Sequence, residues 1–333
     1  MKAINVKGFG MAKRNFSRIF SGNKEIGLII VTIMLFILLT IRSDGFLTYF
    51  NLANIIKNVS LWLIIALAQA LVMVVGGMNL SIGSIGALSA ITVGYFMEIL
   101  HMPGAIAVIA ALIVGLTAGF LNGIVIVKTG LNAFIVTLAT LFIFTGMVMG
   151  LTRGQPFTKI PVSFTIIGQG SMLMIPNLFL LTLVILIVVF VLFRFSLIGR
   201  RILATGSNAN ASKFSGINTD MIVLFAHAAS GFIAALGGIL YVSRYGVAQP
   251  SIGNSWLIMS FAIAIIGGTS LVGGSLSIFG LLFGALIIIL IKSGLILLHV
   301  EPFWEQTFLG ALILIAVGID RVREIVASKR VIS

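Results

Sequence analysis

Apolar runs of roughly crossing length follow one another along the chain, most of them closed by glycine, proline or a basic residue. One helical passage through the hydrocarbon of a bilayer takes about 20 apolar residues, with a range of about 17 to 25. That rule predicts ten crossings: Glu25–Ile41, Ala53–Val75, Ile82–Leu100, Gly104–Val127, Leu131–Gly150, Asn177–Phe193, Met221–Val242, Trp256–Leu271, Leu276–Leu298 and Trp304–Ile319. Glycines interrupt or border the third and the eighth. Two long polar stretches break the series. One, residues 151–176, carries Pro156, Pro161 and Pro176 and is too long for a hairpin. The other, residues 194–220, carries Arg194, Arg200, Arg201 and Lys213 against the single acid Asp220. Its glycines, Gly199, Gly206 and Gly216, predict short surface helices broken at those points rather than a loose linker.

Composition agrees with the pattern. Hydrophobic residues make up 59% of the chain and charged residues 9%, where soluble domains carry about 25% charge. The expected fold is an all-α integral membrane bundle of about ten helices spanning residues 25–320, with a basic arm (1–24) before it and a basic tail (321–333) after it. A net charge of +13 invites a nucleic-acid reading, but the basic residues sit at the ends of apolar runs, as membrane topology requires. With both termini cytoplasmic, the inside set is Lys2, Lys7, Lys13, Arg14, Arg18, Lys24, Lys128, Arg194, Arg200, Arg201, Lys213, Arg321, Arg323, Lys329 and Arg330. The outside set is only Arg42, Lys57, Arg153, Lys159, Arg244 and Lys292. Losing one crossing would place the basic tail outside and spoil this asymmetry. The first run ends in Arg42-Ser43-Asp44 without a small-residue cleavage site, so it reads as an anchor and not a removed leader. The arm before it is either an amphipathic helix on anionic lipid or a topology signal.

The apolar helices carry small-residue spacings at Gly115/Gly119/Gly123, Gly146/Gly150 and Gly280/Gly284, which let helices approach closely in lipid. There is also an internal echo. Gly76–Ser84 reads GGMNLSIGS and Gly267–Ser275 reads GGTSLVGGS, with five of nine positions identical. GLTAGFLNGIVIVKTGL from Gly115 and GLLFGALIIILIKSGL from Gly280 repeat a second segment with one gap. Glycine-interrupted segments at matching places in two halves point to a transport site, because unwound backbone at membrane depth must line a cavity or be buried in protein. The alternative is a pair of tight Gly/Ser turns between helices.

Candidate chemistry is neutral. Within the runs, Glu98, Lys128 and Lys292 lie near helix ends, where they reach the interface. His227 lies a turn or two inside its helix and reads as a satisfied neutral ring or a proton relay. The remaining groups are amides and hydroxyls: Gln69, Asn79, Ser81, Asn122, Thr137, Thr140, Gln249 and Asn254. Such a lining suits a neutral polyhydroxylated solute better than an ion; the same groups also serve as interhelical hydrogen bonds. The chain has no cysteine, no phosphate-binding G-x-x-x-x-G-K-[ST] loop, and no H-E-x-x-H or G-x-S-x-G pattern. It is therefore not expected to be an enzyme, to bind ATP itself, or to hold a cofactor or metal.

Three stretches then resemble one family. Gly76–Ser84 is similar to the G-G-I-D-L-S-V-G-S segment of bacterial ATP-binding-cassette importer permeases of the ribose, xylose and galactoside type. Thr205-Gly206-Ser207-Asn208 through Ala211 to Ser215-Gly216-Ile217-Asn218 resembles their cytoplasmic G-G-N-x-x-A-A-x-x-S-G-I-N segment. Gly267-Gly268-Thr269-Ser270-Leu271 with Gly273-Gly274, and Pro302-Phe303-Trp304-Glu305-Gln306, resemble G-G-T-S-L-x-G-G and P-Y-W-Q. Asn122-Gly123, Phe134, Thr137–Thr140 and Gly154-Gln155-Pro156 fit as well. The resemblance implies a permease subunit of a monosaccharide importer in the bacterial cytoplasmic (inner) membrane, surrounded by membrane lipid. Its implied partners are a second permease of the same or another kind, a cytoplasmic ATPase and an extracytoplasmic solute-binding protein, with no nucleic acid. The coupling helix gripped by the ATPase maps onto Asn208, Ala211, Lys213, Ser215, Gly216 and Ile217. Gln69, Asn79, Ser81, Asn122, Phe134, Thr137, Thr140 and Gln249 are the candidate solute pathway.

The chain departs from the family pattern in two places. The acid of G-G-I-D-L-S is Asn79 here, and the coupling segment reads Asn210-Ala211-Ser212 without its usual acid. Nucleosides and a furanosyl autoinducer are the rival solutes within the family. An ion-coupled secondary transporter is the rival from another class, opposed by the scarcity of intramembrane acids and arginines. A membrane scaffold with no pore is a third.

Overall fold

The computed structural model describes residues 24–301 and, beyond them, positions 304, 307, 308, 310, 311, 314 and 318. The basic arm to residue 23, the tail from 321, and most of the Pro302–Gln306 motif and of the tenth expected crossing lie outside the described residues.

Seven helices among the described residues are long and apolar enough to cross a membrane. They are α1 (Lys24–Arg42), α2 (Tyr49–Met73), α4 (Gly104–Thr129), α5 (Ala133–Thr152), α7 (Asn177–Phe195), α10 (Thr219–Tyr245) and α12 (Ile278–Leu297). The two glycine-marked runs give shorter helices, α3 (Ile82–Glu98) and α11 (Trp256–Ile266). At 1.5 Å per residue α11 is about 16 Å long, half of a hydrocarbon core of about 30 Å. The remaining elements are α6 (Val162–Gln169), a two-stranded hairpin of β1 (Ser171–Met172) and β2 (Ile175–Pro176), and the paired surface helices α8 (Leu197–Ser207) and α9 (Ala209–Phe214).

Helices α2 and α10 form the centre, buried along most of their length, while α1 is almost wholly exposed. The glycine ladder of α4 explains how it reaches α10. A Cβ on Gly115, Gly119 or Gly123 would collide with Gly231, Ala235, His227 or Leu224 of α10, so the backbones touch as small-residue packing requires. Gly280 and Gly284 bring α12 against Gly267 and Ile263 of α11 in the same way. Gly146 and Gly150 do not: nothing lies within 4 Å of either, since they stand on the outward face of α5.

The polar stretches also depart from expectation. Gly199 and Gly206 do not break helices; both lie inside α8. They are glycines because backbone is pressed on them, Leu192–Phe193 at Gly199, and Val74 with Gly274 at Gly206. Gly216, at φ +80 with open space around it, does end the unit. The stretch from Arg153 contains α6 and the hairpin, and is fastened to α10. The Ser243 hydroxyl donates to the Phe164 carbonyl at 2.7 Å and accepts from the Gly168 N–H at 2.9 Å.

Candidate functional site

The unwound segment before α3 is held from three sides. Asn79 is fully buried. Its Oδ1 accepts from the Ser81 N–H at 3.0 Å and the Ser81 hydroxyl at 2.7 Å, an Asx turn that replaces helical bonding locally. Its Nδ2 donates to Ser230 Oγ of α10 at 3.0 Å. Asn122 of α4 donates to Ser81 Oγ at 2.8 Å, and the Thr137 hydroxyl of α5, which donates to the Ala133 carbonyl of its own helix at 2.7 Å, lies 3.2 Å from the Met78 carbonyl. An amide suits position 79 because it accepts twice and donates once in the same place.

Helix α3 runs from this segment toward Glu98, whose carboxylate accepts the Lys159 N–H at 2.9 Å, at the end of the bundle away from α8 and α9. Helix α11 runs the other way, toward Gly267–Gly274, where the Gly274 N–H donates to Val74 O at 2.9 Å. The two short helices therefore point apart from a common origin, where Gly83 and Gly253 touch backbone to backbone and a Cβ on either would overlap the other's carbonyl. Gly253 lies at φ +94, in the region that favours glycine. Neither N-cap, Ser81 or Ser255, closes its helix with a side-chain bond. First-turn N–H groups, which have no partner within the helix, and the positive dipole ends of two helices thus gather at one place.

A cavity of about 230 Å3 opens there. Ser84 and Ala87 of α3 line it, with Leu141, Phe142, Thr145 and Val148 of α5 and Pro250, Asn254 and Leu257 around the start of α11. No charged side chain lines it. A larger recess, about 590 Å3, lies between α2 and α12. It is lined by Asn51, Asn54, Asn58 and Trp62, with the Lys292 ammonium 5.5 Å from the Trp62 ring centre, and it involves neither short helix.

Of the residues singled out from sequence, the structure joins Asn79, Ser81 and Asn122 in one network, with Thr137 beside it. Thr137, Leu141, Thr145 and Val148 follow one face of α5, so Thr137 lies one turn from the cavity lining. The Thr140 hydroxyl donates to the Thr137 carbonyl. Gln69 is fully buried on α2, and neither end of its amide finds a partner among the described residues. Gln249 donates to the Tyr241 hydroxyl at 3.3 Å and precedes Pro250 of the lining. Phe134 is exposed near the start of α5 and does not line the cavity. Asn254 lines the cavity; the other eight do not. Ser84 and Thr145 were missed. Ser84 closes the first echo and had a signal, whereas Thr145 looks like any hydroxyl in an apolar helix.

The two echoed segments meet in space as well. A Cβ on Gly273 would strike Gly76 N and Gly206 O, and one on Gly206 would strike Val74 O and Gly274 N. The end of α8 is thus wedged between the chain leading into α3 and the chain leaving α11. Beyond it the Asn208 side chain caps α9 by accepting from the Ala211 N–H, Ser215 Oγ donates to Ala211 O, and Ile217 is half-buried against the core. Lys213 pairs with Asp220 at 3.8 Å, with the two side chains 59% and 61% exposed, a contact that contributes little to stability. Phe214, missed in the sequence, is 93% exposed at the end of α9. A bare aromatic ring flanked by Lys213 and Ser215 was the available signal.

Crossing helices around a glycine-lined break are the architecture of a polytopic membrane transport protein. The family model described as "Branched-chain amino acid transport system / permease component" matches residues 51–317, and the chain belongs to that family. It is 33% identical over 295 residues to the ribose import permease protein RbsC of Haemophilus influenzae, covering 87% of this chain and 91% of that one. It is 31% identical over 316 residues to the D-allose transport system permease protein AlsC of Escherichia coli, covering 95% and 97%. It is 29% identical over 341 residues to the galactose/methyl galactoside import permease protein MglC of Salmonella typhimurium, covering 97% and 98%. No solved structure matches the chain.

Proposed function

We propose that this chain is the pore-forming permease of an importer that moves a monosaccharide into the cytoplasm through the cavity between α3, α5 and α11. The observation that carries the reading is the wedge of Gly206 between the two echoed segments, because it joins a surface handle to both short helices that border the cavity. The family description names amino acids and the relatives name sugars. The uncapped helix starts would meet an amino acid's carboxylate, but its ammonium would enter a cavity that offers no acidic side chain to pair with it, a costly mismatch. Hydroxyls, one amide and uncapped helix starts are matched by a polyol. Ligand pockets usually measure about 300–1,000 Å3, so a cavity of about 230 Å3 favours a single sugar ring.

In this reading the α8–α9 handle faces the cytoplasm of a bacterial inner membrane, and both termini lie on that side. An ATP-binding-cassette ATPase grips α9, with Phe214 and Lys213 in its groove. A second permease covers the open glycine face of α5 and closes the cavity from the side. A solute-binding protein delivers sugar at the opposite end. The ATPase drives the cycle by binding the two states of the permease pair with different affinity. Gly216→Pro tests the handle. Proline holds φ near −65°, which φ +80 excludes, so sugar uptake is lost while the chain stays in the membrane at normal level. Disappearance of the variant from the membrane would count against this role.

The delivery end gives a second test. Phe157 and Ala248 exchange both backbone hydrogen bonds at 2.9 Å as one isolated pair, two residues before Pro250 of the lining. Two bonds worth about 1 kcal/mol each form a latch that docking of a binding protein releases. A Phe157→Cys/Ala248→Cys disulfide is feasible at the spacing of such a pair, about 5.5 Å between Cα atoms. Oxidation is expected to stop uptake and reductant to restore it; full uptake by the cross-linked protein would show that the pair need not open. The reading as a whole is tested by mild-detergent purification of the tagged chain, with its partners identified and ATPase activity assayed. A stoichiometric ATPase subunit supports it, and a chain that purifies alone with no ATPase activity contradicts it.

A further inference from the structure

The hairpin that precedes α7 is built against local preference. Leu173 and Met174 form its two-residue turn with φ of +50 and +66. A two-residue turn with φ positive at both central positions is the type that Asn-Gly or Gly-Gly fills without strain, whereas side-chain-bearing residues held there each cost of order 1–3 kcal/mol. The same two residues are 88% and 79% exposed, and Met172 beside them is 62% exposed. A strained turn with an apolar tip in solvent is unfavourable twice over. Both costs are offset if the tip sits in an apolar medium.

Its surroundings name that medium. Pro176 of the hairpin leads straight into α7, the most apolar of the crossing helices, with Val184, Ile187, Val188 and Val191 exposed along its length. The Tyr49 hydroxyl donates to the Met174 carbonyl at 3.3 Å, which places the hairpin beside the first residue of α2, where Tyr49 and Phe50 are themselves 59% and 78% exposed. Aromatic residues collect at this level, where crossing helices enter the membrane. Residues 171–178 carry no charge, unlike the polar rim that surrounds the core of most protein–protein interfaces. The tip is therefore continuous with the exposed apolar surface of α7 and of the first turn of α2.

We infer that the Met172–Met174 hairpin tip is a lipid anchor, inserted at the headgroup–acyl boundary of the leaflet opposite the handle. It holds the 153–176 stretch at a fixed height above the bilayer. Through Phe157 that stretch grips the segment entering the cavity. The inference rests on the membrane-spanning reading of the bundle and not on the identity of the solute.

The chain has no cysteine, so single-cysteine spin labels can be placed at will. Met172→Cys, Leu173→Cys and Met174→Cys are labelled with a nitroxide in the assembled importer in lipid vesicles, with Gly154→Cys as a reference in the same stretch. Collision with oxygen, which concentrates in lipid, is expected to exceed collision with a water-soluble nickel chelate at all three tip positions, and the order to reverse at residue 154. Greater collision with the nickel chelate at the tip would place it in water and overturn the inference. Protection from both quenchers would place it under a protein and overturn it equally. Sugar uptake by the labelled proteins is read in parallel, so a failed anchor remains distinguishable from a failed transport reading. A Leu173→Asn/Met174→Gly variant separates anchoring from turn structure. It relieves the turn and removes the apolar tip, so with Met172→Cys as reporter the nickel chelate is expected to gain access although the hairpin is better formed. Unchanged oxygen contact there would mean that the apolar tip is not what holds the hairpin in lipid.

Discussion

Gly206→Val abolishes sugar uptake while leaving the helices of the bundle in place. The added Cβ would stand within the Val74 carbonyl and against the Gly274 N–H at 2.6 Å. Both are backbone atoms that cannot swing aside like a side-chain tip. Overpacking of this kind costs about 1–3 kcal/mol, enough to shift a conformational equilibrium by about 5- to 150-fold. The displaced parts are the segments that lead into α3 and out of α11, so the loss falls on the elements bordering the cavity and not on the long crossing helices. The measurement is uptake per molecule of membrane-resident variant, with Ala105→Val as control, since Ala105 is exposed in the first turn of α4. Uptake at the normal rate by Gly206→Val would mean that the wedge transmits nothing.

Asn79→Leu is the second large effect. The substitution removes two acceptor bonds to Ser81 and one donor bond to Ser230 at once. The Ser81 N–H and the Ser230 hydroxyl then lie buried without their partner, at about 1–3 kcal/mol per group. The unwound segment loses the turn that holds it out of helix, and leucine favours helix where asparagine favours turns. Transport is expected to fall by at least about tenfold, as 1.4 kcal/mol is a factor of ten, with the chain still in the membrane. Asn122→Leu, which removes one bond from the same network, is expected to show a smaller loss in the same direction. Equal uptake by wild type and Asn79→Leu at equal abundance would deny the network any part in the pathway.

Much of this was legible in the sequence. The seven long crossings lie within a few residues of the apolar runs, because hydrocarbon thickness sets their length. The echo of Gly76–Ser84 and Gly267–Ser275 marked both breaks by its repetition in the two halves, which a glycine pair alone does not do, since Gly237-Gly238 lies inside the unbroken α10. The sequence overstated α11, read to Leu271 and ending at Ile266, because uncharged small residues and Leu271 extend the run after the backbone has turned at Gly268, φ +79. Glycine also carried two meanings that composition does not separate. Gly216 ends a unit by its dihedral angles, while Gly199 and Gly206 sit inside a helix and are small only because of what presses on them. The cavity was the least visible feature. Ser84, Thr145 and Asn254 come from three elements distant in the chain, and no periodicity within one helix announces that they share a wall.

The most direct test of the cavity as the route is accessibility within it. Thr145→Cys and Asn254→Cys are introduced into the cysteine-free chain, the importer is assembled in vesicles with its ATPase and binding protein, and a small thiol reagent is applied with and without ribose, D-allose or galactose during ATP turnover. The account predicts that one of these sugars slows labelling at both positions, and that completed labelling blocks its uptake. Labelling at both positions that ignores every sugar, with uptake of a sugar intact after modification, would place the route elsewhere in the bundle.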